Sequence, residues 1–160
     1  LPEQRKLYDY WCELKRDRAM PARDEISPAD FPGLLPYVLL VEVRPPPELI
    51  RVRLAGTALW DIHGGEITGR TLDDSWGGNR EYWRRNYELI AESRKPAAGM
   101  LRAPRVGKDH LVLFWLRLPL AGRGPDDLVL LGLDMCITAS KLSGDMLGSS
   151  EPHTLAGNRG

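Results

Sequence analysis

His110-Leu-Val-Leu-Phe-Trp-Leu-Arg-Leu-Pro-Leu120 and Leu128-Val-Leu-Leu-Gly-Leu-Asp-Met-Cys-Ile-Thr138 decide the fold class of this chain. Both are rich in aliphatic residues, the first also holding Phe114 and Trp115, and each is preceded by glycine and charge: Gly107-Lys108-Asp109 before the first, Gly122 to Asp127 before the second. That combination predicts two strands joined by a hairpin-like loop. In Leu111 to Leu116 and Leu128 to Leu131 both alternating sets of side chains are apolar, so the sheet needs cover on both faces.

Working outward from this pair, Ala98 to Val106 is a third strand. Further upstream, Tyr37 to Arg44 and Ile50 to Leu54 flank the triple proline Pro45 to Pro47, and Arg51 and Arg53 alternate with Ile50, Val52 and Leu54 as in a half-buried strand. Two antiparallel strands with a tight connection follow. Gly56 ends the pair, Thr57 is placed to cap a short helix through Ile62, and Gly64-Gly65 closes it. Glu66 to Gly78, with isolated Ile67, Leu72 and Trp76, reads as loop with at most one helical turn. Asn79 then caps a longer helix to about Ser93, with Tyr82, Trp83, Asn86, Leu89 and Ile90 facing inward.

At the N-terminus, Leu7, Tyr10, Trp11 and Leu14 recur at three- and four-residue steps from Pro2 to Arg18, an amphipathic helix that Met20-Pro21 stops. Ser27 to Asp30 is a capped turn before Pro32-Gly33 breaks the chain. The expected organisation is a helical lead-in over 1–36, a core over 37–141 and a disordered tail over 142–160, where glycine and polar residues dominate without a period. The fold class is α+β: a five-stranded antiparallel sheet, middle helices on one face and an extra N-terminal helix. The first helix or a second copy of the protein supplies the other cover, so Leu7, Trp11, Leu14, Leu111, Leu113 and Trp115 form a lid or dimer surface.

The chain of 160 residues is the length of one ordinary domain, so a second independent core is not expected. Its 22 basic and 22 acidic side chains cancel, and nothing in the overall charge draws it to nucleic acid or to a membrane surface. No signal-peptide core opens the chain and no run reaches the roughly 18 apolar residues of a membrane span, which points to a cytoplasmic location. Cys12 and Cys136 lack the spacing of a redox pair or a zinc site and read as buried free thiols.

The segments Leu7-Tyr-Asp-Tyr-Trp11, Arg18-Ala-Met-Pro21, Leu34-Leu-Pro-Tyr37, Arg53-Leu-Ala-Gly-Thr57 and Gly69-Arg-Thr-Leu-Asp73, in this order and spacing, resemble a family of small PAS-like proteins found mainly in alphaproteobacteria. The resemblance runs from about Leu7 to Thr138. It implies the PAS fold and a sensor or signalling adaptor without an attached output domain, and it supplies no shared cofactor. The residues themselves suggest structural roles: Gly56 allows close backbone approach, and Gly69 suits a turn that seats Leu72 in the core.

PAS proteins as a class hold haem, flavin, chromophores or metabolites between sheet and middle helices, and many are empty. The cysteine photochemistry of the light-oxygen-voltage and hydroxycinnamate types lacks its residue, since Gly65 to Leu72 contains no cysteine. The long middle helix has no histidine for haem. His63 is the one arguable ligand, and a helix-terminal histidine bonded to the last carbonyls is the plainer reading. His110 opens a strand and His153 belongs to the tail, so no metal cluster is supported. A non-covalent flavin or metabolite would be lined by Leu54, Leu59, Trp60, Leu72, Trp83, Tyr87 and Leu131, residues that core packing explains equally well.

The carboxylate pairs Asp73-Asp74 and Asp126-Asp127 lie in turn-like stretches without a histidine nearby, so no enzyme is expected. Arg80, Arg84, Arg85 and Arg94 are interleaved with Glu81, Glu88 and Glu92 as on a solvated helix face. Two functions are therefore carried forward. One is a sensor with a small-molecule ligand between sheet and helices; the other is a ligand-free interaction module that forms a homodimer or docks on a signalling protein.

Overall fold

The computed structural model describes residues 1–44, 49–72, 79–103, 107, 110–141 and 153–154. Helix α1 (Pro2–Lys15) is followed by 3₁₀ turns, strands β1 (Val38–Val43) and β2 (Arg51–Ala55), and helices α2 (Leu59–His63) and α3 (Arg80–Ser93). Strands β3 (Ala97–Arg102), β4 (Leu111–Ala121) and β5 (Leu128–Thr138) complete an antiparallel sheet in the order β2-β1-β5-β4-β3. Of the tail, only the two-residue strand β6 (His153–Thr154) is described; it pairs beside β3, and the remainder lies outside the described residues, as do Pro45 to Pro47, Asp73-Asp74 and Trp76.

The five expected strands all form, and the doubly apolar pair forms the long centre of the sheet. Its two sets of side chains feed two cores. Leu113 and Trp115 of β4 with Leu128 and Leu130 of β5 face α2 and α3, where they meet Leu59, Trp83, Tyr87 and Ile90. Leu116, Leu118 and Leu120 with Leu131 and Leu133 face the opposite way, onto Leu7, Tyr8 and Trp11 of α1. The chain thus covers its second sheet face itself. The lid residues divide accordingly: Leu7 and Trp11 are fully buried, Leu14 and Leu111 are half-buried, and Leu113 and Trp115 turn out to face α3. A strand apolar on both sides carries no mark of which set faces which layer.

The lead-in is tied down by the residues of the short segments. Trp11 Nε1 donates to the Pro119 carbonyl at 2.8 Å. Helix α1 ends earlier than expected, at Lys15, because Arg16 takes a positive φ of 57° with ψ −122°, outside helical geometry. Arg18 then folds back to donate to the Leu14 carbonyl (2.6 Å) and the Lys15 carbonyl (3.2 Å), satisfying open carbonyls of the last turn while pairing with Glu25 at 2.6 Å. That hydrogen bond, with another from the Ala22 amide, brings the Glu25 carboxyl down to about 2.

Gly56 does permit close approach: a Cβ there would lie 2.2 Å from the Leu35 carbonyl oxygen. Gly69 turns with φ 85° and Leu72 is buried, as its position suggested. Neither expected helix cap makes a side-chain hydrogen bond: α2 starts behind Ala58 rather than Thr57, and Asn79 stands at the start of α3 without capping it. Packing sets both starts, since Leu59 and Trp83 occupy the core just inside them.

Replacing Trp11 by alanine removes the largest side chain of the α1 core and its bond to Pro119. The expected cost is about 3–5 kcal/mol, read as a lower denaturation midpoint in urea. Exposure of Leu116 and Leu118 should also cause self-association in light scattering; an unchanged midpoint would show that α1 contributes nothing to the fold.

Candidate functional site

Beneath α2 and α3, in a layer otherwise built of apolar side chains, two opposite charges are fully buried. Arg117 projects from β4 and Asp134 from β5, each with a side chain of 0% exposure. The guanidinium donates from Nη1 to Asp134 Oδ1 at 2.6 Å and from Nη2 to Oδ2 at 3.3 Å, a two-pronged pair. Nη1 also donates to the Leu116 carbonyl (2.9 Å) and Nε to the Tyr87 hydroxyl of α3 (3.3 Å). The charge lies over the Trp83 ring at 5.0 Å and the Trp115 ring at 5.8 Å, so it is held by π faces as well as by acceptors. Room for it comes from Gly132, opposite Arg117 in the ladder: a Cβ there would lie 2.9 Å from Nη1 and 2.6 Å from Leu39.

The third member arrives from α2. Gly64 takes the left-handed conformation (φ 76°) that ends this helix, as expected, and His63 just before it is directed to the sheet. Its Nε2 lies 3.1 Å from Asp134 Oδ2, and its side chain is 1% exposed. The reading of His63 as bonded to terminal carbonyls is thus corrected: the carboxylate within reach offers a charged acceptor. Its other nitrogen, Nδ1, is buried and has no hydrogen-bond partner among the described residues.

Burial alone would push the Asp134 carboxyl up, but the Arg117 charge and the hydrogen bonds from His63 and Arg117 outweigh it and hold the group below its ordinary value. Burial also opposes the charge on Arg117, and Asp134 and Tyr87 more than restore it. The Tyr87 hydroxyl is raised by burial, against the pull of Arg117. The Cys136 thiol is pushed up to about 12, by burial and then by Asp134 and Asp61, so it is kept in its unreactive protonated form.

Of the residues expected to line a ligand cavity, Leu59, Leu72, Trp83 and Tyr87 are brought together in this layer. Leu131 faces α1 instead, one position out of phase with Leu130. Leu54 and Trp60 are 54% and 59% exposed, because the expected strand and helix present them to solvent. Indole and phenol rings fill much of the space between sheet and α3: Trp83 stands 5.1 Å from Trp115 and 5.6 Å from Tyr87, and Trp115 Nε1 donates to the Tyr82 hydroxyl at 2.9 Å. Towards one end a cleft of about 350 Å³ opens between the strands and α3, with Val43, Ile50, Ala91 and Leu128 as apolar walls and Arg44 and Glu88 among the charged residues around it. On the outer face of α3, Arg84 pairs with Glu81 and with Glu88 (2.8 Å), the solvated face that the spacing suggested.

The family model of the PAS domain matches residues 1–135. The chain belongs to the PAS domain family. The match includes α1, so the lid over the second sheet face lies within the region the PAS model matches. A solved structure similar to it is the PAS domain of Bordetella pertussis BvgS, at 16% identity and a TM-score of 0.47 over 71% of this chain and 88% of that one. No curated protein matches this PAS domain. No helix of it is long and apolar enough to cross a membrane, among the described residues.

Arg117 and Asp134 escaped the sequence reading, although a signal was present. Each is the lone charge in its strand and is flanked by apolar residues, Leu116 and Leu118 around Arg117 and Leu133 and Met135 around Asp134. A buried charge needs a partner, and a lone one of each sign on adjacent strands suggests the pair.

Removing one partner strands the other charge, so Arg117→Met or Asp134→Leu alone should cost about 3–5 kcal/mol, while the double variant should lose clearly less than their sum. A double-mutant cycle by urea denaturation checks this, and strict additivity would contradict a coupled pair. The acid limb gives a separate readout. Because the Asp134 carboxyl is lower folded than unfolded, its contribution is complete above the ordinary carboxylate range near pH 4 and disappears as pH falls through the folded value. Wild type should therefore lose more stability than the double variant between pH 6 and pH 3.

Proposed function

We propose that this PAS domain is a sensory module whose input is read at the sheet–helix interface by the His63, Asp134, Arg117 and Tyr87 network. The observation that carries the reading is the buried imidazole with one nitrogen bound to Asp134 and the other without a partner among the described residues. An unsatisfied buried polar atom in an otherwise completed network is a place where a small polar molecule gains a hydrogen bond that the empty protein lacks. Helix α2 is only five residues long and depends on packing rather than on its own turns, which makes it the easiest element of this layer to displace. A ligand with different affinity for the docked and displaced states would shift their balance.

Strand β5 offers the route outward. Asp134 faces α2, and its neighbour Leu133 packs under α1, so one backbone segment is in contact with both covers. The role we propose is one of binding and signalling rather than catalysis. The homodimer expected through α1 and the sheet would require α1 to leave the face it covers in its own chain, so the geometry favours the sensor.

The test is a melting screen of small polar metabolites against wild type and His63→Gln, followed by imidazole ¹⁵N spectra. A true input ligand at about a hundredfold excess over its Kd should stabilise wild type by roughly 2.7 kcal/mol, enough to raise Tm by several degrees, and should move the His63 signals. Hits that act equally on His63→Gln, or that leave the imidazole unmoved, would overturn the reading.

A further inference from the structure

On the α1 side of the sheet, beyond the end of the helix, a groove of about 450 Å³ remains open near the β2 edge. Four arginines from four separate segments line it: Arg23 from the turn after α1, Arg44 at the end of β1, Arg53 on β2 and Arg123 in the loop between β4 and β5. Three carboxylates share the lining, Asp24, Glu42 and Asp127, which leaves a net charge of +1. Arg44 lies 3.4 Å from Asp127 and Arg53 lies 3.5 Å from Glu42, long pairs in which both arginines are more than half exposed. Such pairs are worth little and are readily exchanged for a better anion. Arg23 and Arg123 have no ion-pair partner among the described residues. The floor is apolar, with Leu40 and Val129 from the α1 face of the sheet.

We propose that this groove binds an organic phosphate of nucleotide size. Guanidinium forks match phosphate oxygens two at a time, and a group with more than one negative charge can engage both unpaired arginines together. The apolar floor suits the flat face of a base, and the carboxylates can accept from hydroxyl or amino groups that a bare inorganic anion does not have. The volume lies within the roughly 300–1,000 Å³ of small-molecule pockets. The site is on the opposite sheet face from His63, so it stands independently of the reading above.

Calorimetric titration with ATP and with inorganic pyrophosphate, in 50 mM salt, tests it on the full chain. ATP should bind more tightly than pyrophosphate, and a rise to 200 mM salt should weaken it several-fold. The double variant Arg23→Ala/Arg123→Ala should lose at least tenfold in affinity at unchanged melting temperature, whereas Arg85→Ala, on the exposed face of α3, should stay within twofold. Absence of ATP binding at millimolar concentration, affinity no better than that of pyrophosphate, or an equal loss in Arg85→Ala would each overturn the site.

Discussion

Two opposite charges withdrawn from water at the centre of a sheet hold each other in place, and the Arg117–Asp134 pair is the constraint around which this PAS domain is arranged. Each ion alone would cost several kcal/mol to bury, and the cost is offset only where geometry is close and the remaining hydrogen-bonding groups are used. Here Arg117 reaches the carboxylate with two nitrogens, the Leu116 carbonyl and the Tyr87 hydroxyl, and lies against two indole rings. Gly132 is a consequence of the pair, since any side chain there would meet the guanidinium. The positions of α2 and α3 follow too, because His63 and Tyr87 are bound to the same two charges.

The opposite face is organised by a different force. Among the described residues no ion is buried under α1; the joint is Leu7, Tyr8 and Trp11 against a row of leucines, closed by one indole hydrogen bond. Arg18, outside this core, completes it by capping the carbonyls of α1 and pairing with Glu25 at the surface. One sheet thus separates a specific, polar-centred layer from an apolar, non-directional one. That asymmetry is a reason to look for signal input under α2 and to regard α1 as a responsive cover.

Much of the architecture is legible in short stretches of residues. Period-two alternation marks β2, unbroken apolar runs between glycine-rich loops mark β4 and β5, and the three- and four-residue spacing of Leu7, Trp11 and Leu14 marks α1. The need for a second cover is itself legible from Leu111 to Leu116. Gly56, Gly64 and Gly69 declare their backbone roles because only a residue without a Cβ meets such demands cheaply. The burial of Leu59, Leu72, Trp83 and Tyr87 is legible from their hydrophobicity, whereas the face that Leu131 takes is a matter of phase.

The sequence by itself therefore determined the elements, their order and the demand for two covered faces, because those rest on local periodicity and on the hydrophobicity of short windows. Only the tertiary structure decided that α1 covers its own sheet, that Trp115 faces α3, and that His63 meets Asp134 across 71 positions of chain. These are matters of register between distant segments. A shift of one residue exchanges the two faces of a strand, and no local pattern in a doubly buried strand records which phase is taken. The partner of a buried charge is likewise set by which strands become neighbours, a choice made by the packing of the whole sheet.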